Sequence, residues 1–237
     1  METKDKKQRN MGRRDFLALT GGIIGTLSLA SLSAAGSGYA ASTVFSESSC
    51  GDKNNNLAKK ILVTYASEYG STGGVAEAIG KELCGKGAKV DVLLARNVKN
   101  LSSYQGVVVG SAIYRGKWMA EAVDFVKASA EILRQVPVAY FLVCMTMHRP
   151  SEENRRKALA YLDPVLQTIP QVKPVDIEPF AGAMHYGNLS WLNKKIIISK
   201  GLPEGDFRDW NAIRAWANDL QEVHGLANGL RPTIVNV

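Results

Sequence analysis

The loop Ser67-Glu68-Tyr69-Gly70-Ser71-Thr72 has the residue types that bind a phosphate group. It lies between an apolar run, 61–66, and a segment with helical periodicity that begins near Thr72. Backbone N–H groups at a strand-to-helix turn point toward a bound anion, and Ser and Thr hydroxyls add hydrogen bonds. No lysine follows the loop as in a nucleoside triphosphate site, so the pattern favours a phosphomonoester carried by a cofactor.

Two further loops follow later apolar runs and are expected at the same edge of a sheet. Their small and aromatic residues could approach a flat cofactor ring. The residues predicted to bind the cofactor there are Ser111, Ala112, Ile113, Tyr114, Arg115 and Gly116 in one loop, and Met145 and Thr146 in the other. Tyr114 could equally be a helix-packing residue. His148 is a candidate proton donor, because imidazole titrates near neutral pH, or else an ordinary surface histidine.

The elements that must position these loops are an alternation of strands and helices. Short, β-branched runs predict strands over 61–66, 90–94, 106–110 and 136–143, with a weaker fifth over 175–184 that Pro179 interrupts. Helical periodicity between and after them involves Val75, Ile79 and Leu83, then Met119, Val123 and Val126, then Leu159, Leu162 and Leu166, then Ile213, Trp216 and Leu220. Such alternation predicts a doubly wound α/β sheet that binds its ligand beyond the carboxyl ends of the strands.

The chain start resembles a twin-arginine export signal. Basic residues lead to Arg13-Arg14-Asp15-Phe16-Leu17 and then to a weakly apolar stretch, 18–35. We therefore predict a signal peptide over 1–41, cleaved after Ala40, a flexible tether over 42–58, one globular domain over 59–226 and a tail over 227–237. Export would place the protein in the periplasm or on the outer face of the cytoplasmic membrane. The alternative is an uncleaved amphipathic anchor.

The charge of the chain gives only weak information about its partners. The formal net charge is +7, of which residues 1–41 carry +3. The mildly basic remainder fits acidic ligands, an anionic membrane surface or simply a solvated mixed surface. Basic residues are not interleaved with aromatics in one stretch, which argues against nucleic acid.

The three cysteines, Cys50, Cys84 and Cys144, show no paired spacing. This argues against a zinc site, an iron–sulfur site or a disulfide framework. Cys84 and Cys144 are predicted to be buried packing residues. Cys50 lies in the predicted tether, where a lipid-anchored cysteine is conceivable.

The segment 61–83, ILVTYASEYGSTGGVAEAIGKEL, resembles the FMN-phosphate signature of the flavodoxin superfamily, and the resemblance extends over about 59–224. It implies a three-layer sandwich around five parallel strands in the order 2-1-3-4-5. It also implies FMN as the cofactor, with its phosphate on the loop 67–72. The loops at 110–116 and 144–149 correspond to the second and third flavin loops of the family.

A narrower resemblance is to the menaquinone-dependent protoporphyrinogen dehydrogenases. It rests on the segments 110–116, 181–186 and 205–210. Those enzymes carry a membrane-associating insertion after the fifth strand, and residues 189–200 occupy that position here. Apolar side chains alternate there with lysines, so the segment could lie on an anionic bilayer or pack on the domain as an amphipathic element.

These features lead to an FMN-dependent oxidoreductase that passes electrons from a reduced substrate to a quinone-type acceptor, with the flavin carrying the chemistry and no catalytic side chain required. An exported flavodoxin that carries electrons between proteins is the alternative, and a module that has lost flavin is a third. Haem precursors are oxidised on the cytoplasmic side, so the export signal leaves the substrate open.

Overall fold

The computed structural model describes residues 45–52, 55 and 58–222. The predicted signal peptide and C-terminal tail lie outside the described residues. The strands are β1 (Ser48–Cys50), β2 (Lys60–Ala66), β3 (Lys89–Leu94), β4 (Gly106–Tyr114), β5 (Lys117–Trp118), β6 (Val138–Cys144), β7 (Asp176–Ala181), β8 (Ala183–Met184) and β9 (Gly205–Asp206). The α-helices are α1 (Ser71–Gly85), α2 (Ala120–Leu133), α3 (Glu152–Leu159), α4 (Asp163–Thr168), α5 (Trp191–Ser199) and α6 (Trp210–Glu222).

The central sheet has the predicted topology. Strands β3, β2, β4, β6 and β7 lie side by side in that order and all pair in parallel. This is the order 2-1-3-4-5 of the five predicted strands, so the flavodoxin-like fold is confirmed. The register pairs Ala66 with Ser111, Ala112 with Val143 and Cys144 with Ala181. The carboxyl ends of four strands therefore meet at one edge, as the loop prediction requires.

Side chains alternate between the two faces of the sheet and form a core on each. One core joins residues of the sheet to α1 and α6, and includes Ile61, Val63, Ile79 and Leu220. The other joins the sheet to α2 and the segment 158–172. The predicted apolar positions of α1 and α6 are all buried, whereas the predicted helix around 159–166 is divided by a short 3-10 helix at Ala160–Leu162.

The fifth predicted strand, 175–184, is two strands rather than one. Pro179 lies within β7, which is tolerated because β7 pairs only with β6 and forms the edge of the described sheet. The chain then leaves the sheet at Gly182, and β8 pairs antiparallel with β9. This small ribbon places residues 205–208 beside the carboxyl edge of the main sheet.

The segment predicted as a flexible tether, 42–58, instead contributes a strand. β1 pairs antiparallel with β3, and Cys50 forms a disulfide with Cys84 of α1. The two Cα atoms are 6.2 Å apart, within the range of disulfides. The expectation that the cysteines form no disulfide was wrong, because sequence spacing carries no information on a contact made by a strand at the sheet edge. Cys84, predicted to be buried, is only partly buried, and the bonded Cys50 thiol is not available for a lipid anchor. Cys144 is free and buried, as predicted.

Among the described residues, no helix combines the length and the apolar character that crossing a bilayer requires.

Candidate functional site

The loop after β2 leaves the N-terminus of α1 open. Gly70 is the N-cap in a left-handed conformation with φ of 85°, and no side chain caps the helix. The Gly70 N–H donates to Ser67 Oγ at 2.9 Å, which closes the loop on itself. The first turn of α1 contains no acidic residue. The unpaired N–H groups and partial positive charge of this helix end are therefore available to an anion.

The second predicted loop is a tight hairpin between β4 and β5. Ile113 pairs with Trp118 and Tyr114 with Lys117, so Arg115 and Gly116 alone form the turn. Both have positive φ, 52° and 76°, as the central residues of a type I′ hairpin turn require. The Trp118 side chain is buried and packs edge-to-face on Tyr140 with ring centroids 5.4 Å apart. The hairpin itself forms one rim of the carboxyl edge.

The third predicted loop is a 3-10 helix, Met145–His148. The Thr146 and Tyr161 hydroxyls are hydrogen-bonded at 3.1 Å. His148 Nδ1 lies 2.6 Å from the Met145 carbonyl, which can only accept, so Nδ1 donates the hydrogen bond. In the neutral ring, Nε2 is then an acceptor. His148 can donate a proton from Nε2 only as the imidazolium.

A cavity of about 840 Å³ lies between these three loops, β8 and α5. Of the predicted cofactor residues, those that line it are Ser67, Glu68, Tyr69, Gly70, Ser71, Ala112, Ile113, Tyr114, Arg115, Gly116, Met145 and Thr146. The candidate His148 lines it too. The sequence thus locates most of one side of the cavity, and cofactor binding by these residues stays a prediction.

Two predicted residues do not line the cavity. The Ser111 hydroxyl is fully buried, donates to the Ala112 carbonyl at 2.8 Å and accepts from the Met119 N–H at 2.9 Å. Its hydrogen bonds are therefore used within the protein. Thr72 is also fully buried, one residue into α1, and its Oγ1 has no hydrogen-bond partner among the described residues. Cofactor contact by the side chains of Ser111 and Thr72 therefore has no support from the cavity.

The sequence analysis assigned no cofactor-binding residue to the opposite side of the cavity. The residues that line it after β7 are Gly182, Ala183, Met184, His185, Asn188, Leu189, Asn193, Ile196, Ile197, Lys200, Leu202 and Arg208. A Cβ on Gly182 would lie 3.0 Å from Val143 Cγ1 and 3.4 Å from Ser71 Oγ, so this backbone approaches closely. Gly182 lies within the predicted fifth strand, and a glycine there was the signal that could have revealed this wall, because it indicates a close approach of the backbone.

The two sides of the cavity contact each other through Tyr69. Its hydroxyl accepts a hydrogen bond from Asn193 Nδ2 of α5 at 3.5 Å. Burial raises the pKa of the Tyr69 phenol, and the hydrogen bond from Asn193 opposes that effect. The phenol is therefore neutral at physiological pH and can act as donor or acceptor toward a ligand.

The charged residues that line the cavity favour an anionic ligand. In the described part of the chain they are Arg115, Lys200 and Arg208, with Glu68 as the single carboxylate. Asp206 accepts two side-chain hydrogen bonds from Arg208. These bonds hold the pKa of the Asp206 carboxyl below its usual range. The cavity therefore combines an open helix N-terminus, an excess of positive charge and mainly apolar walls.

Comparison with known proteins identifies the class to which this fold and site belong. Residues 62–200 match the Flavodoxin domain family, and the chain belongs to that family. A curated relative is the protoporphyrinogen IX dehydrogenase [quinone] of Escherichia coli (strain K12), which is 25% identical over 172 residues that cover 68% of this chain and 94% of the relative.

Two solved structures also resemble the chain. A flavodoxin from the domain Archaea has a TM-score of 0.41 and 19% identity, covering 60% of this chain and 98% of its own. A flavoprotein from Lactobacillus acidophilus NCFM in complex with FMN has a TM-score of 0.38 and 15% identity, covering 52% of this chain and 93% of its own.

Proposed function

We propose that this protein is an FMN-dependent oxidoreductase that passes electrons from a reduced substrate to a quinone-type acceptor. The observation that carries the proposal is the single cavity that joins the open N-terminus of α1 to the apolar residues of α5. One end of that cavity suits a phosphate group, and the other suits an apolar molecule. Membership of the Flavodoxin domain family supports FMN as the cofactor.

The residues that line the cavity fit FMN. The loop Ser67–Ser71 and the start of α1 would hold the phosphate through backbone N–H groups and hydroxyls. Residues 112–116 and 145–146 on one side, and Gly182 on the other, would contact the ring, because small side chains let the backbone approach a flat group. When bound, FMN supplies the capacity to accept a hydride or two electrons and to release them singly or together.

Helix α5 is the proposed route to the acceptor. Asn193, Ile196, Ile197 and Lys200 line the cavity. Trp191, Leu192 and Ile198 are 72%, 53% and 51% exposed. Lys195 lies over the Trp191 ring at 5.2 Å from its centroid, so cations border the apolar surface. Such a surface suits the headgroup region of an anionic bilayer, and contact through 189–200 would bring the cavity to a membrane-dissolved quinone.

Export by the twin-arginine route, to the periplasm or the outer face of the cytoplasmic membrane, is part of the proposal. The Cys50–Cys84 disulfide supports it, because disulfides form and persist in oxidising compartments and are rare in the cytosol. For the electron donor, the similarity to the protoporphyrinogen IX dehydrogenase of Escherichia coli supports a reduced porphyrinogen.

The proposed function is tested with the purified, full-length protein. Its visible spectrum should show flavin bands, and denaturation should release FMN rather than FAD. A soluble menaquinone analogue should then be reduced while a porphyrinogen is oxidised. An FMN-loaded protein that reduces no quinone with any donor would contradict the oxidoreductase and leave the electron carrier as the better description. A colourless protein that also fails to bind added FMN would contradict both.

A further inference from the structure

Arg208 extends from the segment between β9 and α6 to the first turn of α1. Its Nη1 lies 3.4 Å from the Ser71 carbonyl oxygen, although the two residues are 137 positions apart in sequence. The side chain is 18% exposed and lines the same cavity as the loop Ser67–Ser71. A cation therefore stands beside the proposed phosphate site, on a segment outside the loop itself.

The guanidinium is held in a fixed orientation before any ligand arrives. Its Nε donates to Asp206 Oδ1 at 2.8 Å, and its Nη2 donates to Asp206 Oδ2 at 2.6 Å. The group also stacks over the Trp210 ring, 4.4 Å from its centroid. These contacts fix the plane of the group and leave Nη1 directed toward α1. A bidentate and stacked guanidinium of this kind loses little freedom when it binds an anion.

The sequence of α1 makes room for this side chain. A Cβ at Gly74 would lie 2.5 Å from Arg208 Nη1, closer than real Cβ atoms come to a neighbouring heavy atom, so a side chain at this position would require Arg208 to shift. Glycine inside a helix costs about 1 kcal/mol relative to alanine. The close approach of Arg208 gives this unfavourable residue a physical reason.

The local electrostatics favour an anion. A cation close to a helix N-terminus is unfavourable, because that end carries a partial positive charge. Asp206 balances the charge of Arg208 but leaves the N–H groups of the α1 N-terminus unpaired. A phosphate bound at the start of α1 would satisfy the helix end and Arg208 together.

We infer that Arg208 is a ligand of the phosphomonoester of the flavin, positioned by Asp206 and Trp210, and that it selects FMN over riboflavin. The inference rests on the proposed FMN-binding function. Riboflavin has the same ring and lacks the phosphate, so the two flavins separate a phosphate contact from a general effect on the cavity.

The experiment titrates the full-length, flavin-free protein with FMN and with riboflavin and follows flavin fluorescence. Arg208→Gln should lower FMN affinity about 10- to 100-fold, the range expected for loss of a charged hydrogen bond, and leave riboflavin affinity unchanged. Arg208→Lys keeps the positive charge but lacks the planar guanidinium, so its FMN affinity should lie between the affinities of wild type and Arg208→Gln. Arg214→Gln is the matched control, because the Arg214 guanidinium donates a hydrogen bond to Asn211 on its own helix and does not line the cavity. It should bind both flavins like wild type.

The possible results separate the inference from the proposed function. Equal losses of FMN and riboflavin affinity in Arg208→Gln, or no loss of either, would overturn the role of Arg208 while wild-type binding of FMN still stands. If Arg208→Gln does not fold, the ratio of FMN to riboflavin affinity in Arg208→Lys decides: a lower ratio supports the inference and an unchanged ratio overturns it. A wild-type protein that binds neither flavin would overturn the proposed function and the inference with it.

Discussion

Helices α1 and α5 border the same cavity, but the rest of the domain holds them very differently. Seven residues of α1 are buried, and a disulfide attaches its C-terminal end to β1. None of the residues of α5 is buried, and four of its apolar side chains are exposed. One wall of the cavity is therefore fixed to the core, whereas the other is held by few contacts. A wall fixed to the core suits a permanently bound cofactor. A wall held by few contacts suits a substrate or a membrane surface that binds reversibly.

The substitution of one isoleucine by alanine in each helix should show the difference in packing between α1 and α5 most strongly. Ile79 of α1 is fully buried, and Ile198 of α5 is 51% exposed. Ile79→Ala should lower the free energy of unfolding by about 2–5 kcal/mol, because it removes buried methyl groups and leaves a cavity. Ile198→Ala should change it by less than about 0.5 kcal/mol. Urea denaturation measures both, and equal losses would contradict the comparison.

Removal of the disulfide should weaken the attachment of α1 to β1. The bond closes a loop of 34 residues, so the double variant Cys50→Ser, Cys84→Ser should lose about 4 kcal/mol of unfolding free energy. Thermal and urea unfolding of oxidised wild type and of the variant give this value. Reduced wild type is the control and should behave like the variant. A variant as stable as the oxidised protein would show that β1 does not depend on the disulfide.

The exposed surface of α5 should bind membranes. Trp191→Ser combined with Leu192→Ser should weaken binding to anionic vesicles about 10-fold or more, because the burial of each of these side chains contributes favourably. Ile132→Ser on α2 is the matched control, since Ile132 is also an exposed apolar residue, at 37%. Vesicle sedimentation measures the binding. Equal binding by the double variant and wild type would exclude α5 as the contact.

Asp91 of β3 accepts a hydrogen bond from Ser49 of β1, and this contact is a second, weaker attachment of β1 to the domain. Burial alone would raise the pKa of its carboxyl, but hydrogen bonds from Ser49, Tyr104 and Lys60 outweigh burial and lower it. The ionised form is thus favoured by folding. Its contribution, about 1 kcal/mol, should be complete above about pH 4 and be lost as the pH falls through the lowered pKa.

The unfolding free energy measured between neutral and acid pH checks this expectation. Asp91→Asn should give a flatter pH dependence below pH ~4 than wild type. Tyr104→Phe removes the hydroxyl that donates to Asp91 Oδ2 at 2.7 Å. It should flatten the pH dependence of the unfolding free energy less than Asp91→Asn does. Identical pH profiles for wild type and Asp91→Asn would contradict the stabilising role of Asp91.

The buried central strands and the first loop could be predicted from the sequence, whereas β1 and the contact of Arg208 could not. The buried runs of β2, β4 and β6 are apolar and β-branched, and residues 67–71 follow directly from β2, so the strand order and the first loop could be inferred. β1 has the sequence Ser-Ser-Cys, without any apolar pattern, and became visible only through its pairing with β3. Arg208 contacts α1 across 137 positions, a distance that no local pattern encodes.

Helix α6 has a practical consequence for the boundaries of the domain. The match to the family ends at residue 200, but Ile213, Trp216, Ala217 and Leu220 of α6 are buried in the core that contains Ile79 of α1. Expression of a fragment cut at the family boundary would expose that apolar surface and remove Leu202 and Arg208 from the cavity rim. Such a fragment should aggregate, so the shortest useful fragment for crystallisation extends through Glu222.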